Sequence, residues 1–316
     1  YMSDGVTCIL QRGDEYENIY PLWNWNRLPG TTALQGNLRD LRDAEDWWGE
    51  DGWNWRGTTT FVGGAADGGL AAAVMDYARD GLFAHKAWLF TGQEMTALGC
   101  GVNTLAKETR EVVTNVNQCM RCGDVRLKTG GVWRSAAEGK SDVTGADAVW
   151  HDGTAYFVRQ GTAQLLLEER DGDWGSVNQG FAGTAAHGAV FELDILHGAQ
   201  PQDGAYAYTI VPAVTEPESA QYTPPQILRN DERVQAVWKD GRLAAAVWKV
   251  DEIAAPNGLR VYANKKCLLL LQETEGGGLR IAVSNPENRS KWVDIHVNRP
   301  LPPLETEVCH VRPAEG

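Results

Sequence analysis

The sequence predicts an all-β protein, a β-sandwich of many strands followed by a small second β-sandwich. Three observations carry this. Short runs rich in Val, Leu, Thr and aromatics recur throughout, as at Ala87-Trp88-Leu89-Phe90, Ala155-Tyr156-Phe157-Val158 and Ala189-Val190-Phe191-Glu192-Leu193. Gly-containing pairs punctuate them, as at Asp152-Gly153, Asp171-Gly172 and Asp240-Gly241, which read as turns. The 35 glycines leave few stretches long enough for a helical period. Residues 37–48 are a weak helix candidate. Residues 71–78 read as a strand, because Val62-Gly63-Gly64 and Gly68-Gly69 bracket them with turns.

At 316 residues the chain can bury a sizeable core in two domains. The boundary falls where Glu-Pro-Glu-Ser and Thr-Pro-Pro interrupt the β pattern, giving domains at 1–220 and 221–316. The second has strands of its own, at 234–238, 243–248, 267–272, 279–283 and 292–297. No apolar run approaches the roughly 18 residues of a membrane span. The net charge of −13 argues against nucleic acid, which calls for a clustered basic face. It also fits poorly with a polyanionic ligand, so any cationic contacts must be local or supplied from elsewhere. Of the six cysteines, Cys119 and Cys122 have zinc-ribbon spacing without a second pair; a local disulfide or free thiols are the better reading.

The first 32 residues carry most information. Asp14-Glu15-Tyr16-Glu17-Asn18 precedes Pro21-Leu22-Trp23-Asn24-Trp25-Asn26-Arg27-Leu28-Pro29-Gly30-Thr31-Thr32. This reads as a polar strand edge, then Trp23 and Trp25 at i, i+2 on one strand face, then a Pro-Gly turn. Tryptophan faces stack on sugar rings, and Glu or Asn hydrogen-bond hydroxyls or orient a neighbouring group. A plain core role for both tryptophans stands beside that reading. Trp47, Trp48, Trp53 and Trp55 lie in a Trp- and acid-rich insertion, residues 34–56, read as a surface loop that packs on itself or contacts sugar.

Residues 15–32 resemble a signature of the polysaccharide lyase family that includes hyaluronate, chondroitin AC and xanthan lyases. The resemblance continues in order through Phe61-Val62-Gly63-Gly64-Ala65-Ala66-Asp67-Gly68, His85-Lys86-Ala87-Trp88-Leu89-Phe90 and Leu98-Gly99-Cys100-Gly101-Val102. Lys107-Glu108-Thr109, Gly172-Asp173-Trp174-Gly175-Ser176-Val177-Asn178 and His197-Gly198 through Tyr206-Ala207-Tyr208 follow, and Val283-Ser284-Asn285-Pro286 lies near the end. Each motif alone is weak; their order and spacing are not.

The resemblance implies a central β-supersandwich and a C-terminal β-sandwich, without the N-terminal α/α-toroid that carries the family's catalytic Asn, His, Tyr and Arg. The chain alone is therefore expected to be inactive. The implied reaction is β-elimination on a uronic-acid polysaccharide of the hyaluronan or chondroitin type, with xanthan lyase and a non-catalytic carbohydrate-binding β-sandwich as alternatives. By resemblance, Glu15 orients the toroid's His and Arg, Asn18 contacts substrate or that network, and Trp88 lines the cleft. Trp23, Trp25 and Arg27 complete the expected substrate-binding set. The expected partners are the acidic polysaccharide and the missing toroid, with no nucleic acid and no membrane. No cofactor is required. A structural calcium is a weaker expectation, because Asp67, Asp76 and Tyr77 match a pattern that binds it in some members, although position 65 is Ala. A simple turn role for Asp67 is the competing reading. Polymeric substrates imply a secreted or periplasmic location.

Overall fold

A computed structural model describes residues 4–36, 59–79, 81–289, 292–300, 304–305 and 310–311. The helix candidate at 37–48 and Trp47, Trp48, Trp53 and Trp55 lie outside the described residues. Strands dominate, and one α-helix, Glu216–Gln221, occurs among the described residues. No helix there is long and apolar enough to cross a membrane.

A five-stranded antiparallel sheet runs in the order Thr32–Leu34, Glu111–Met120, Ala185–Ala199, Thr162–Asp173, Gly139–Asp142. A nine-stranded sheet runs Val62–Asp67, Leu70–Arg79, Leu82–Phe90, Met95–Thr104, Gly204–Val211, Thr154–Gln160, Ala148–His151, Val125–Thr129, Val132–Ser135. Alternation explains the strand choice. Ala163, Leu165 and Leu167 are buried while their neighbours are not, and the same holds for Leu70, Ala72 and Val74. Residues 71–78 are thus strand; Gly68-Gly69 is the predicted turn before them, whereas Val62-Gly63-Gly64 is no turn but part of the partner strand, Gly63 opposite Val74 and Gly64 opposite Ala73.

Two of the three Asp-Gly turn expectations hold. Asp152 and Gly153 have φ of 47° and 75°, and Asp240 and Gly241 have 48° and 77°, the left-handed pairs of tight hairpins. Asp171-Gly172 is not a turn. It continues the strand Thr162–Asp173, opposite His187 and Ala186. Gly172 is there for space: a Cβ would sit 2.3 Å from the Pro21 carbonyl oxygen.

The described residues form two compact units, one from those within 4–36, 77–79, 81–84 and 101–223, the other from those within 60–76, 85–100 and 224–300. In the first, stacked Tyr156 and Phe191, 5.4 Å apart, join the inner faces of its sheets. In the second, a five-stranded sheet orders Gln226–Asn230, Val234–Lys239, Arg242–Val247, Cys267–Glu273, Leu279–Ser284. A three-stranded sheet orders Asp251–Ala254, Arg260–Ala263, Ile295–Val297, so that strand is shorter than the expected 292–297. Val234, Leu243, Leu269, Leu271, Ile253 and Val261 share one core between these sheets. The short helix falls where the β pattern breaks. Thr215 and Glu218 form its capping box, a signal written in the sequence as Thr-x-x-Glu.

Candidate functional site

The segment ahead of the first short helix is a loop held from below and from the side. Below it, the Tyr16 hydroxyl accepts from the Ile9 N–H at 3.0 Å and donates to Asn117 Oδ1 at 2.9 Å. Asn117 Nδ2 donates in turn to the buried Tyr156 hydroxyl at 2.8 Å. At the side, Gln11 Nε2 donates to the Asp152 carbonyl and Thr154 Oγ1, at 3.0 and 2.7 Å, and its Oε1 accepts from the Ala213 N–H at 2.7 Å. Arg12 pairs with Asp14 and Asp152. A residue left to fluctuate would blur any sugar contact; these bonds fix the loop to the Asp152-Gly153 hairpin.

Glu15 is the centre of that loop. Its side chain is buried, and Oε1 accepts from the N–H groups of Gln11 and Arg12, each at 2.8 Å. Oε2 accepts from the Gly13 N–H at 2.9 Å. Burial pushes the carboxyl upward, but the backbone N–H groups of Arg12, of Glu15 itself, Gln11 and Gly13 prevail and hold it at about 2. Two of these contacts fall on Oε1 and one on Oε2, so Oε2 is the less occupied oxygen. Asn18 follows, exposed, with φ of 57°, a left-handed conformation that Asn tolerates better than most residues.

Beside Glu15 is a small polar concavity lined by Ile9, Gln11, Asn117, Cys119, His151, Asp152, Thr154 and Tyr156. His151 lies flat on Phe191, and its Nε2 accepts from the Cys122 N–H at 3.1 Å. Burial lowers its pKa to about 4, so the ring is neutral with its proton on Nδ1. Cys8, Cys100, Cys119, Cys122 and Cys267 are free thiols.

Trp23 and Trp25 do not share a strand face. A one-turn 3-10 helix, Tyr20–Leu22, begins with Pro near its first turn and gives way to tight turns. The Asn26 N–H bonds Asn24 Oδ1 and the Arg27 N–H bonds the Asn24 carbonyl, so the asparagines curl the chain that periodicity alone would extend. The indoles meet at 5.5 Å with planes 89° apart. Trp23 is core, its N–H donating to the Gln118 carbonyl at 3.1 Å; Trp25 is half-buried.

Gln118 docks this loop as a neighbouring peptide would. Its Oε1 accepts from the Asn24 N–H at 2.8 Å, and its Nε2 donates to the Asn24 and Arg27 carbonyls at 3.1 and 2.6 Å. Arg170 reinforces it, donating to Gln118 Oε1, the Leu22 carbonyl and Glu192. Arg27 is committed inward: one of its nitrogens bonds Glu192 at 2.9 Å and Asp194 at 2.7 Å, and its Nε bonds Gln35. Burial, then the adjacent Glu192, raises the Asp194 pKa, while hydrogen bonding and the charge of Arg170 keep Glu192 low against its burial. Sequence reasoning missed Gln11, Gln118, Arg170, Glu192 and Asp194. The signal available was polar residues, Asn115, Asn117, Gln118, Glu192 and Asp194, inside otherwise apolar strands.

The remaining expected residues lie in or beside the second unit. Trp88 is 8% exposed, its indole N–H has no hydrogen-bond partner among the described residues, and the Lys86 ammonium is 5.2 Å from its ring centre. Asp67 pairs with Arg280. Asp76 faces His85 at 3.7 Å and Lys266 at 3.6 Å. Tyr77 is core. Both carboxylates already face side-chain cations and Ala65 offers no donor, so this set does not fit calcium, which wants six to eight uncommitted oxygens. Among the described residues no group of three or more His, Cys, Asp or Glu is arranged to hold a metal ion. Neither calcium nor EDTA is expected to shift the melting temperature of the chain.

Residues 1–223 match the polysaccharide lyase family 8 super-sandwich domain, and residues 226–294 match that family's C-terminal beta-sandwich domain. The chain belongs to polysaccharide lyase family 8. It is 33% identical over 283 residues to chondroitinase-AC of Pedobacter heparinus, covering 87% of this chain and 39% of that enzyme. It is 26% identical over 234 residues to xanthan lyase of a Bacillus species (strain GL1), covering 69% of this chain and 25% of the relative. A solved chondroitinase AC lyase, studied as enzyme–oligosaccharide complexes, superimposes with a TM-score of 0.80 at 27% identity, over 94% of this chain and 43% of that one. The family 8 chain thus spans well under half the length of these relatives. It corresponds to their β domains.

Proposed function

We propose that this chain forms the β-sheet wall of the cleft in a lyase that cleaves uronic-acid-containing polysaccharides of the hyaluronan or chondroitin type by β-elimination. The observation that carries the reading is the pinned loop: Asn18 is exposed in a fixed left-handed conformation, three residues from a caged Glu15, on a family 8 fold. Similarity to chondroitinase-AC, the nearer in identity of the two relatives above, supports the substrate class over a xanthan-type polymer.

The chemistry requires removal of the C5 proton of a uronate, which is α to a carboxylate and weakly acidic. Charge that develops on that carboxylate needs hydrogen-bond donors aimed at it, a base must take the proton, and an acid must protonate the leaving glycosidic oxygen. The Asn18 carboxamide supplies a donor and an acceptor without charge, suited to a sugar hydroxyl or carboxylate. Glu15 holds the loop by its backbone and offers Oε2, its less occupied oxygen, to orient a cationic or imidazole group on an opposing toroid. The proton-transfer groups belong to that toroid, so the chain alone is inactive in this reading. Because such polymers lie outside the cell, the location is secreted or periplasmic. Trp88, buried with an indole donor to spare, keeps its place as a substrate-lining residue by resemblance.

The test is ultraviolet absorbance of the unsaturated uronate product, using the protein extended upstream of Tyr1 and its Asn18→Ala variant beside the bare chain. Product from the extended protein alone, with kcat/KM down about tenfold or more in the variant, is expected. Product from the bare chain, or none from the extended protein on any uronic-acid polymer, would overturn the reading.

A further inference from the structure

Directly after Asn18 the chain presents Tyr20, a ring given no role above, among three indoles. Tyr20 is 36% exposed although it touches three indoles. It lies 4.9 Å from Trp23 with planes 34° apart, so the core indole covers one face of the phenol. Trp25 and Trp174 meet it obliquely, at 6.0 Å and 55° and at 6.2 Å and 62°, as walls rather than lids. Tyr20 thus keeps exposed area with Trp23 against it and two half-buried indoles, Trp25 and Trp174, alongside.

Everything beneath this patch is fixed. Gln118 and Arg170 clamp residues 22–27 by their backbone, and Pro21 fits against Gly172, where any side chain would collide. Trp174 opens a short turn whose Asp173 side chain accepts from the N–H groups of Gly175 and Gly183. A pre-set aromatic surface loses little freedom on binding, which is what weak CH–π contacts need to yield measurable affinity.

We propose that Tyr20, walled by Trp25 and Trp174, is a sugar-stacking subsite that continues the Asn18 loop and takes a pyranose ring of the polysaccharide chain. This rests on the proposed polymer class, though not on the chain's taking part in catalysis.

The test is binding by the 1–316 chain itself, titrated with hyaluronan and chondroitin hexasaccharides by NMR and calorimetry. The Trp25 and Trp174 indole N–H signals are expected to shift on binding. Tyr20→Ala should weaken affinity about fivefold to tenfold and Trp174→Ala comparably, while Tyr20→Phe stays within about twofold. Equal affinity for Tyr20→Ala and the parent would overturn the subsite, as would no binding of either hexasaccharide or shifts confined to other indoles. The two proposals fail separately. Product formation by the extended protein with Tyr20→Ala affinity unchanged leaves the lyase standing and removes the subsite. Tyr20-dependent binding without product from the extended protein leaves a sugar-binding chain and removes the lyase.

Discussion

Replacing Glu192 with alanine is expected to lower the unfolding free energy by about 3–5 kcal/mol, the largest effect of any substitution argued for this chain. The side chain is 1% exposed and receives both Arg27, at 2.9 Å, and Arg170, at 2.8 Å. Its removal leaves Arg27 with Asp194 as its remaining carboxylate partner and Arg170 with the half-exposed Glu168. Burial and the neighbouring carboxylate raise the Asp194 pKa, whereas Arg170 and Arg27 hold Glu192 low against its burial, so Glu192 is the anion the two guanidiniums share. The loop also loses support, since Arg170 bonds the Leu22 carbonyl and Gln118. Urea unfolding at neutral pH measures the cost. Asp194→Asn should be milder, because it replaces a group whose proton the fold already favours. The sign follows from the raised value: Asp194 contributes stability that is fully present below its ordinary 3.8 and is lost as pH rises from there to its folded pKa, and the Asp194→Asn change removes that decline. A Glu192→Ala protein as stable as the parent would mean that these charges are solvated in solution.

That network also marks the limit of what could be read in the chain. The β class, most strands of the second unit and the hairpins at Asp152 and Asp240 follow from patterns two to six residues long, which act locally. Asp171-Gly172 looked the same locally, yet its glycine answers to Pro21, some 150 residues away in sequence. Periodicity placed Trp23 and Trp25 on one face; two asparagine turns decided otherwise. Arg27 reads as a free cation beside two tryptophans until Glu192 and Asp194 are seen opposite it. The same holds for Asp67 and Asp76, legible as metal-type oxygens but opposite Arg280, Lys266 and His85 in the fold. Glu15 and Asn18 were legible through family resemblance, while the reason they hold still, Gln11 on a distant hairpin, was not. Types and turns are written locally; partners for charge are not.

Glu15→Gln is expected to cost about 2 kcal/mol at neutral pH, from weakening three charge-assisted bonds to backbone N–H groups. The amide keeps one oxygen and turns a donor toward a donor, either at Gly13 or at the pair from Gln11 and Arg12. The pH dependence separates this from a general loss of packing. The folded carboxyl sits near 2, below its ordinary value of 4.5, so its contribution is complete above about 4.5 and is lost as pH falls toward 2. Parent and variant stabilities, from urea unfolding at pH steps between these values, should therefore converge in acid and separate by neutrality. A gap that stays constant with pH would assign the loss to shape rather than charge, and the loop would then owe its fixity to Gln11 and Tyr16. In the extended protein the same variant should lose product formation in proportion to how far Asn18 is released. A lowered kcat with KM unchanged would place Glu15 against the toroid, whereas a raised KM alone would place its action on the loop that carries Asn18.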